Sequence, residues 1–191
     1  MAERILVLDG ATGTMLQSKA LGPDDFGGPE LEGCDENLVR TRPDIILDVH
    51  RAYLAAGADI IETDTFGGTP LVLAEYGLES EARALNRLAA ELAVEAAREA
   101  STPAKPRFVA GSMGPTTKAI TVTGGVTFSQ LVDHFHTQAA ALIEGTYHCI
   151  NERDGFVVYD KPTLQKAYDL FRRIAPTLVF AHAEKDYMLD H

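Results

Sequence analysis

Three short apolar runs, each ending in a polar cluster, set the strongest limit on how this chain can fold. Arg4-Ile5-Leu6-Val7-Leu8 leads into Asp9-Gly10, Asp59-Ile60-Ile61 into Glu62-Thr63-Asp64-Thr65-Phe66, and Arg107-Phe108-Val109-Ala110-Gly111 into Ser112-Met113-Gly114-Pro115. Short β-branched runs of this kind suit buried parallel strands. Segments with apolar residues at helical spacing lie between them. Ile45, Ile46, Val49, Tyr53 and Leu54 recur from Pro43 to Ala56, with Gly57 as a stop, and Leu85, Leu88, Leu92 and Ala96 share one face from about Ser80 to Ala100. Thr127-Phe128-Ser129-Gln130 has the form of a capping box, opening a helix that carries Phe128, Leu131, Val132, Phe135, Ala139 and Leu142 to Gly145. Strand and helix therefore alternate three times. That order predicts an α/β architecture with parallel strands and right-handed crossovers, and it gathers the polar strand ends on one rim.

After Gly145 the pattern changes. Tyr147 to Asp160 has no clear period, Thr163 can cap a helix through Leu164, Ala167, Tyr168, Phe171 and Ile174, and Thr177-Leu178-Val179-Phe180-Ala181 reads as a last strand delivering His182. A short βαβ-like fragment is the expectation for this region. The formal net charge of -11 repels nucleic-acid backbones and anionic membrane surfaces, so a small-molecule ligand is expected, with no nucleic-acid or membrane partner. Neither a membrane span nor a signal peptide is evident, and the chain reads as cytoplasmic. Cys34 and Cys149 are too far apart for a metal knuckle and read as free thiols in a reducing compartment. His134 and His136, two apart on a helix, point to different faces and read as solvated, while His50 reads as structural or surface.

The rim residues suggest a ligand. Backbone amides freed by Gly10, Gly13 and Gly114 can hold a carboxylate, and Asp9 or Glu62 can hold an ammonium group, which suits an amino acid better than a phosphate. In order and spacing, Asp9-Gly10-Ala11-Thr12-Gly13-Thr14-Met15-Leu16-Gln17, Arg51-Ala52-Tyr53, Gly57-Ala58-Asp59-Ile60-Ile61-Glu62-Thr63-Asp64-Thr65-Phe66-Gly67 and Gly111-Ser112-Met113-Gly114-Pro115 resemble a known family. It is the homocysteine-binding, homocysteine S-methyltransferase domain of cobalamin-dependent methionine synthase. The resemblance implies that residues 1–146 are the N-terminal half of a (β/α)8 (TIM-type) barrel that transfers a methyl group to homocysteine, giving methionine. A complete barrel of this type needs about 250 residues. The resemblance also implies Asp9 and Gly10 as contacts to the amino-acid head, with Thr65 and Phe66 lining the pocket beside Glu62 and Ser112. Where the family commonly reads Glu-Thr-Asn-Thr-Phe, this chain has Asp64, which adds a negative charge near the pocket.

The family activates the homocysteine thiol on zinc, with methylcobalamin as methyl donor, because a free thiol is mostly protonated at neutral pH. Its zinc ligands include a Gly-Gly-Cys-Cys run on later strands, and this sequence has no such run. The expectation is therefore a methyltransferase-family chain that binds neither cofactor and does not turn over. Residues 147–191 resemble a second family, the PIG-L-type zinc-dependent N-acetylglucosamine deacetylases, through Tyr147-His148-Cys149-Ile150, Arg173 to His182 and Asp186 to His191. That resemblance would make His191 a zinc ligand. The Ala-His-Pro-Asp-Asp motif that supplies its partners is missing, and one imidazole cannot make a catalytic zinc site. The alternatives are thus a deacetylase fragment or a non-catalytic fusion of two incomplete domains. Half a barrel leaves open sheet edges, which predicts self-association or an open sheet.

Overall fold

Strand pairing begins where β-branched residues stand side by side. In the computed structural model, which describes residues 5–120 and 125–151, Ile60–Glu62 (β1) and Phe108–Ala110 (β2) pair in parallel. Ile60 faces Phe108, Ile61 faces Val109 and Glu62 faces Ala110. On the other side of β1, Leu8 forms a parallel bridge with Ile60, and the Asp9 amide donates to the Ile60 carbonyl at 2.9 Å. The three expected strand segments thus lie in chain order and all parallel. The first supplies a bridge rather than a full strand. Its residues Ile5, Leu6, Val7 and Leu8 remain 47 to 87% exposed, so little packing holds a longer ladder in place.

The helices are Thr12–Gln17 (α1), Pro23–Phe26 (α2), Leu38–Thr41 (α3), Pro43–Ala56 (α4), Pro70–Leu73 (α5), Ala82–Ala100 (α6) and Phe128–Asn151 (α7). Pro43 sits at the first turn of α4, where a missing N–H costs nothing, and Gly57 ends the helix in the left-handed region at φ 114°. α4 and α6 connect successive parallel strands and pack together. Ile61 and Val109 point into an apolar cluster with Leu54, Ala58, Ala93, Ala96 and Ala97. A second cluster joins Leu16, Phe26, Cys34, Leu38, Val39, Ile46, Val49, Leu73 and Leu85 around the loops that precede α4. The chain divides into two units, Met1–Arg153 and Asp154–His191, and every described residue belongs to the first. The deacetylase-like reading of residues 147–191, with His182 and His191, lies outside the described residues except for the end of α7. Among the described residues no helix is long and apolar enough to cross a membrane.

α6 lies between α4 and α7, and its alanines set the spacing. Ala89, Ala90, Ala93, Ala96 and Ala97 are all buried, so the alanine-rich stretch is a packing surface as well as a good helix former. The sequence predicts that α7 stops at Gly145, but the helix continues to Asn151. Gly145 is instead a crossing point: a methyl group there would collide with the Arg87 carbonyl and lie 2.8 Å from the Ala90 Cβ. The inward stripe of α7 is Gln138, Ala141, Leu142 and Gly145, while Phe128 and Val132 are exposed. The capping box is present, with the Gln130 amide donating to Thr127 Oγ1 at 3.2 Å and the Thr127 amide to Gln130 Oε1 at 2.8 Å.

His50 is buried on α4, and neither ring nitrogen has a hydrogen-bond partner. Burial pushes its imidazole down to about 4. The unfolded chain takes that proton near pH 6.5, so between the two values the unfolded state binds more protons than the folded one. Stability from this residue is complete above about pH 6.5 and falls by about 3 kcal/mol as pH drops to about 4. Urea unfolding across that window is expected to show this loss in the wild type and its removal in His50→Leu. Parallel pH profiles for the two proteins would contradict it. In the same assay Gly145→Ala is expected to lose about 1–2 kcal/mol, because overpacking outweighs the helix-propensity gain of alanine. A stabilised variant would refute the close crossing.

Candidate functional site

The rim is built by hydrogen bonds between strand ends. Thr63, Thr65 and Ser112 close a ring: the Thr65 hydroxyl donates to the Ser112 carbonyl at 2.8 Å, the Ser112 amide donates to Thr63 Oγ1 at 3.0 Å, and the two threonine oxygens lie 2.6 Å apart. Thr65 has one hydroxyl proton and spends it on Ser112, so Thr63 donates between the threonines. Gln138, reaching in from α7, donates to the Thr65 carbonyl at 2.6 Å and to the Ser112 carbonyl at 3.5 Å. Asn86 of α6 donates to the Gly68 carbonyl at 2.6 Å. Gly68 must be glycine here, since a Cβ would stand 2.5 Å from Asn86 Oδ1. The Gly114 amide donates to the Phe66 carbonyl at 2.9 Å.

Asp9 anchors the first strand end to the second. Its Oδ2 accepts from the Glu62 amide at 3.0 Å, while Oδ1 is buried with no partner. Burial raises the Asp9 carboxyl, the Glu62 amide opposes that, and the Glu62 charge adds to it. An orphaned acceptor beside a second carboxylate is a receptor for a cationic donor such as an ammonium group. Gly10 follows on the surface. A Cβ there would come within 3.1 Å of the Tyr53 hydroxyl, which donates to the Ala11 carbonyl at 3.1 Å.

Of the six candidate ligand residues, Asp9, Glu62, Thr65 and Ser112 are brought together at the strand ends, and Gly10 adjoins them. Phe66 stands 61% exposed, its ring over Gly114. Thr65 is buried and its hydroxyl is committed to Ser112, so it shapes the rim from within. The Gly114 amide is likewise occupied by Phe66, which leaves the Gly10 and Gly13 loop as the source of free amides among the glycines first considered.

Several residues that sequence reasoning passed over belong to this rim. Asn86 and Gln138 are the polar members of otherwise apolar inward stripes, a signal readable at helical spacing. Glu36 accepts from the Gly67 amide at 2.5 Å, a contact with no sequence signature. Asp64, read from sequence as an added negative charge, is buried, and its Oδ2 has no partner. Burial first, then Glu36 and Asp35, push its carboxyl well above the usual range, which opposes that charge.

Cys34 is fully buried, and burial with Glu36 nearby pushes its thiol up to about 12, the reverse of what a metal-bound thiolate requires. Among the described residues no group of three or more His, Cys, Asp or Glu is placed to hold a metal ion. The rim does not fit a catalytic zinc.

Comparison with known proteins places these features in a lineage. The crystal structure of the oxidized form of the homocysteine methyltransferase MmuM from Escherichia coli is similar over 74% of this chain, at 28% identity and a TM-score of 0.58. Its metallated form matches over 75%, at 26% identity and a TM-score of 0.59. The chain spans about half the length of these structures, 50% and 51% respectively. The homocysteine S-methyltransferase family model matches residues 6–151. The chain belongs to the homocysteine S-methyltransferase family.

Proposed function

We propose that this chain forms the head-group-binding half of a homocysteine S-methyltransferase (β/α)8 barrel of the kind found in methionine synthase. In this reading it holds the amino-acid end of homocysteine without activating its sulfur. The buried, unpartnered Oδ1 of Asp9 at the junction of two strand ends carries the reading. Asp9 accepts from the substrate ammonium with Glu62 beside it, and the Gly10 loop receives the carboxylate. Three parallel strand segments in chain order, with α4, α6 and α7 packed successively, support the barrel as the parent architecture. Zinc in such an enzyme supplies a deprotonated thiol at neutral pH. The described residues provide no soft donor set for it, and Cys34 is held as a neutral thiol inside the core. Phe108 and the Ile5 to Leu8 segment leave apolar surface exposed around the sheet, which supports self-association through its edges.

Titration calorimetry with L-homocysteine is expected to show weak binding that Asp9→Asn reduces about tenfold or more, the loss of one charge-assisted hydrogen bond. Equal affinity in both proteins would remove Asp9 from the site. Purified chain is expected to carry far less than one zinc per molecule and to form no methionine from homocysteine and methylcobalamin. Stoichiometric zinc with turnover would overturn the non-catalytic reading. Sedimentation velocity is expected to show concentration-dependent association, and a monomer at every concentration would refute the open-edge reading.

A further inference from the structure

We propose that Asp64 is a pH-operated latch on the rim: with its proton on, it keeps the turn from Thr63 to Gly68 shut, and loss of that proton to solvent releases the turn. Asp64 is 7% exposed, and its Oδ2 has no hydrogen-bond partner. The turn around it makes the contacts that define the site. Thr65 binds Ser112, Gly67 binds Glu36, and the Phe66 carbonyl accepts from Gly114.

The groups facing Asp64 offer no compensation for a charge. From the turn at Cys34 to Asn37 come the carboxylates of Glu36 and Asp35 and the neutral Cys34 thiol. The uncharged amides of Asn86 on α6 and Gln138 on α7 hold the same turn through Gly68 and Thr65. No described basic side chain pairs with Asp64. An ionised carboxylate here would be desolvated, unpaired and beside two like charges, so the closed turn keeps the acid neutral and ionisation requires opening. The latch rests on packing alone and holds whether or not the rim binds homocysteine.

The sign follows from proton counting. A carboxyl raised by folding keeps its proton when the open form has lost it, so the closed state is favoured at low pH and weakens as pH rises above about 4. Amide hydrogen exchange of residues 63–68 and Gly114, corrected for intrinsic exchange and referred to α4, reads this directly. Between about pH 5 and pH 8 the rim opening equilibrium of the wild type is expected to rise with pH, by at most about tenfold per pH unit. In Asp64→Asn, which keeps the shape without the titration, it is expected to stay flat. A rim that opens with the same pH slope in both proteins overturns the latch. Should the asparagine variant fail to fold, Asp64→Ser takes its place with the same two outcomes. Wild-type rim protection that does not change with pH relative to α4 overturns the proposal without any variant.

Discussion

The hydrogen-bonded ring of Thr63, Thr65 and Ser112 is the constraint on which the rest of this structure depends. β1 and β2 share only three residue pairs, and so short a parallel ladder is marginal without added ties. The ring joins the strands beyond their last pair, and Gln138 locks it from α7. One helix side chain therefore fixes two strand ends at once. α7 also crosses α6 closely at Gly145, so the helix that ties the rim is itself held by a tight helix–helix contact.

Local features were legible in the sequence because their causes are local. α4 was readable from its apolar period, its proline start and its glycine stop, and α6 from a clean stripe, although its α-helical span opens at Ala82 after a tight turn. The capping box at Thr127 and Gln130 needs only four consecutive residues. What escaped depends on partners far along the chain. Gly145 looks like a stop in isolation and becomes a crossing point only when Arg87 and Ala90 are brought against it. Asp64 reads in sequence as an added charge near the pocket, and only the fold shows that it is buried beside Glu36 and Asp35. Asp9, Glu62 and Ser112 were readable as one rim because parallel crossovers force strand C-termini together, but nothing in their spacing revealed that Thr65 would turn its hydroxyl inward.

Among the described residues, buried polar atoms without a hydrogen-bond partner occur at the rim and also away from it, as at both ring nitrogens of His50 on α4. Asp9 Oδ1, Asp64 Oδ2, Asn86 Oδ1 and Gln138 Oε1 all belong to the strand-end rim or the amides beneath it. Folding energy alone disfavours such a collection, since each orphan costs about 1–3 kcal/mol. Those at the rim are acceptors, the chemistry that the proposed amine-binding role requires.

Recognition of an amino-acid head and activation of its sulfur are separate physical tasks, and the proposed function assigns the described strands only the first. An ammonium group needs hard oxygen acceptors, which Asp9 and Glu62 supply at the ends of the first two strand segments. A thiolate needs a soft cation or an environment that depresses the thiol, and burial first, then the Glu36 charge, push the Cys34 thiol the other way. The negative charge that the proposed reading uses to hold an amine also makes the rim a poor place to ionise sulfur unaided. A fold that performs both tasks gains by placing them on different strands, so that the field holding the amine does not suppress the nucleophile.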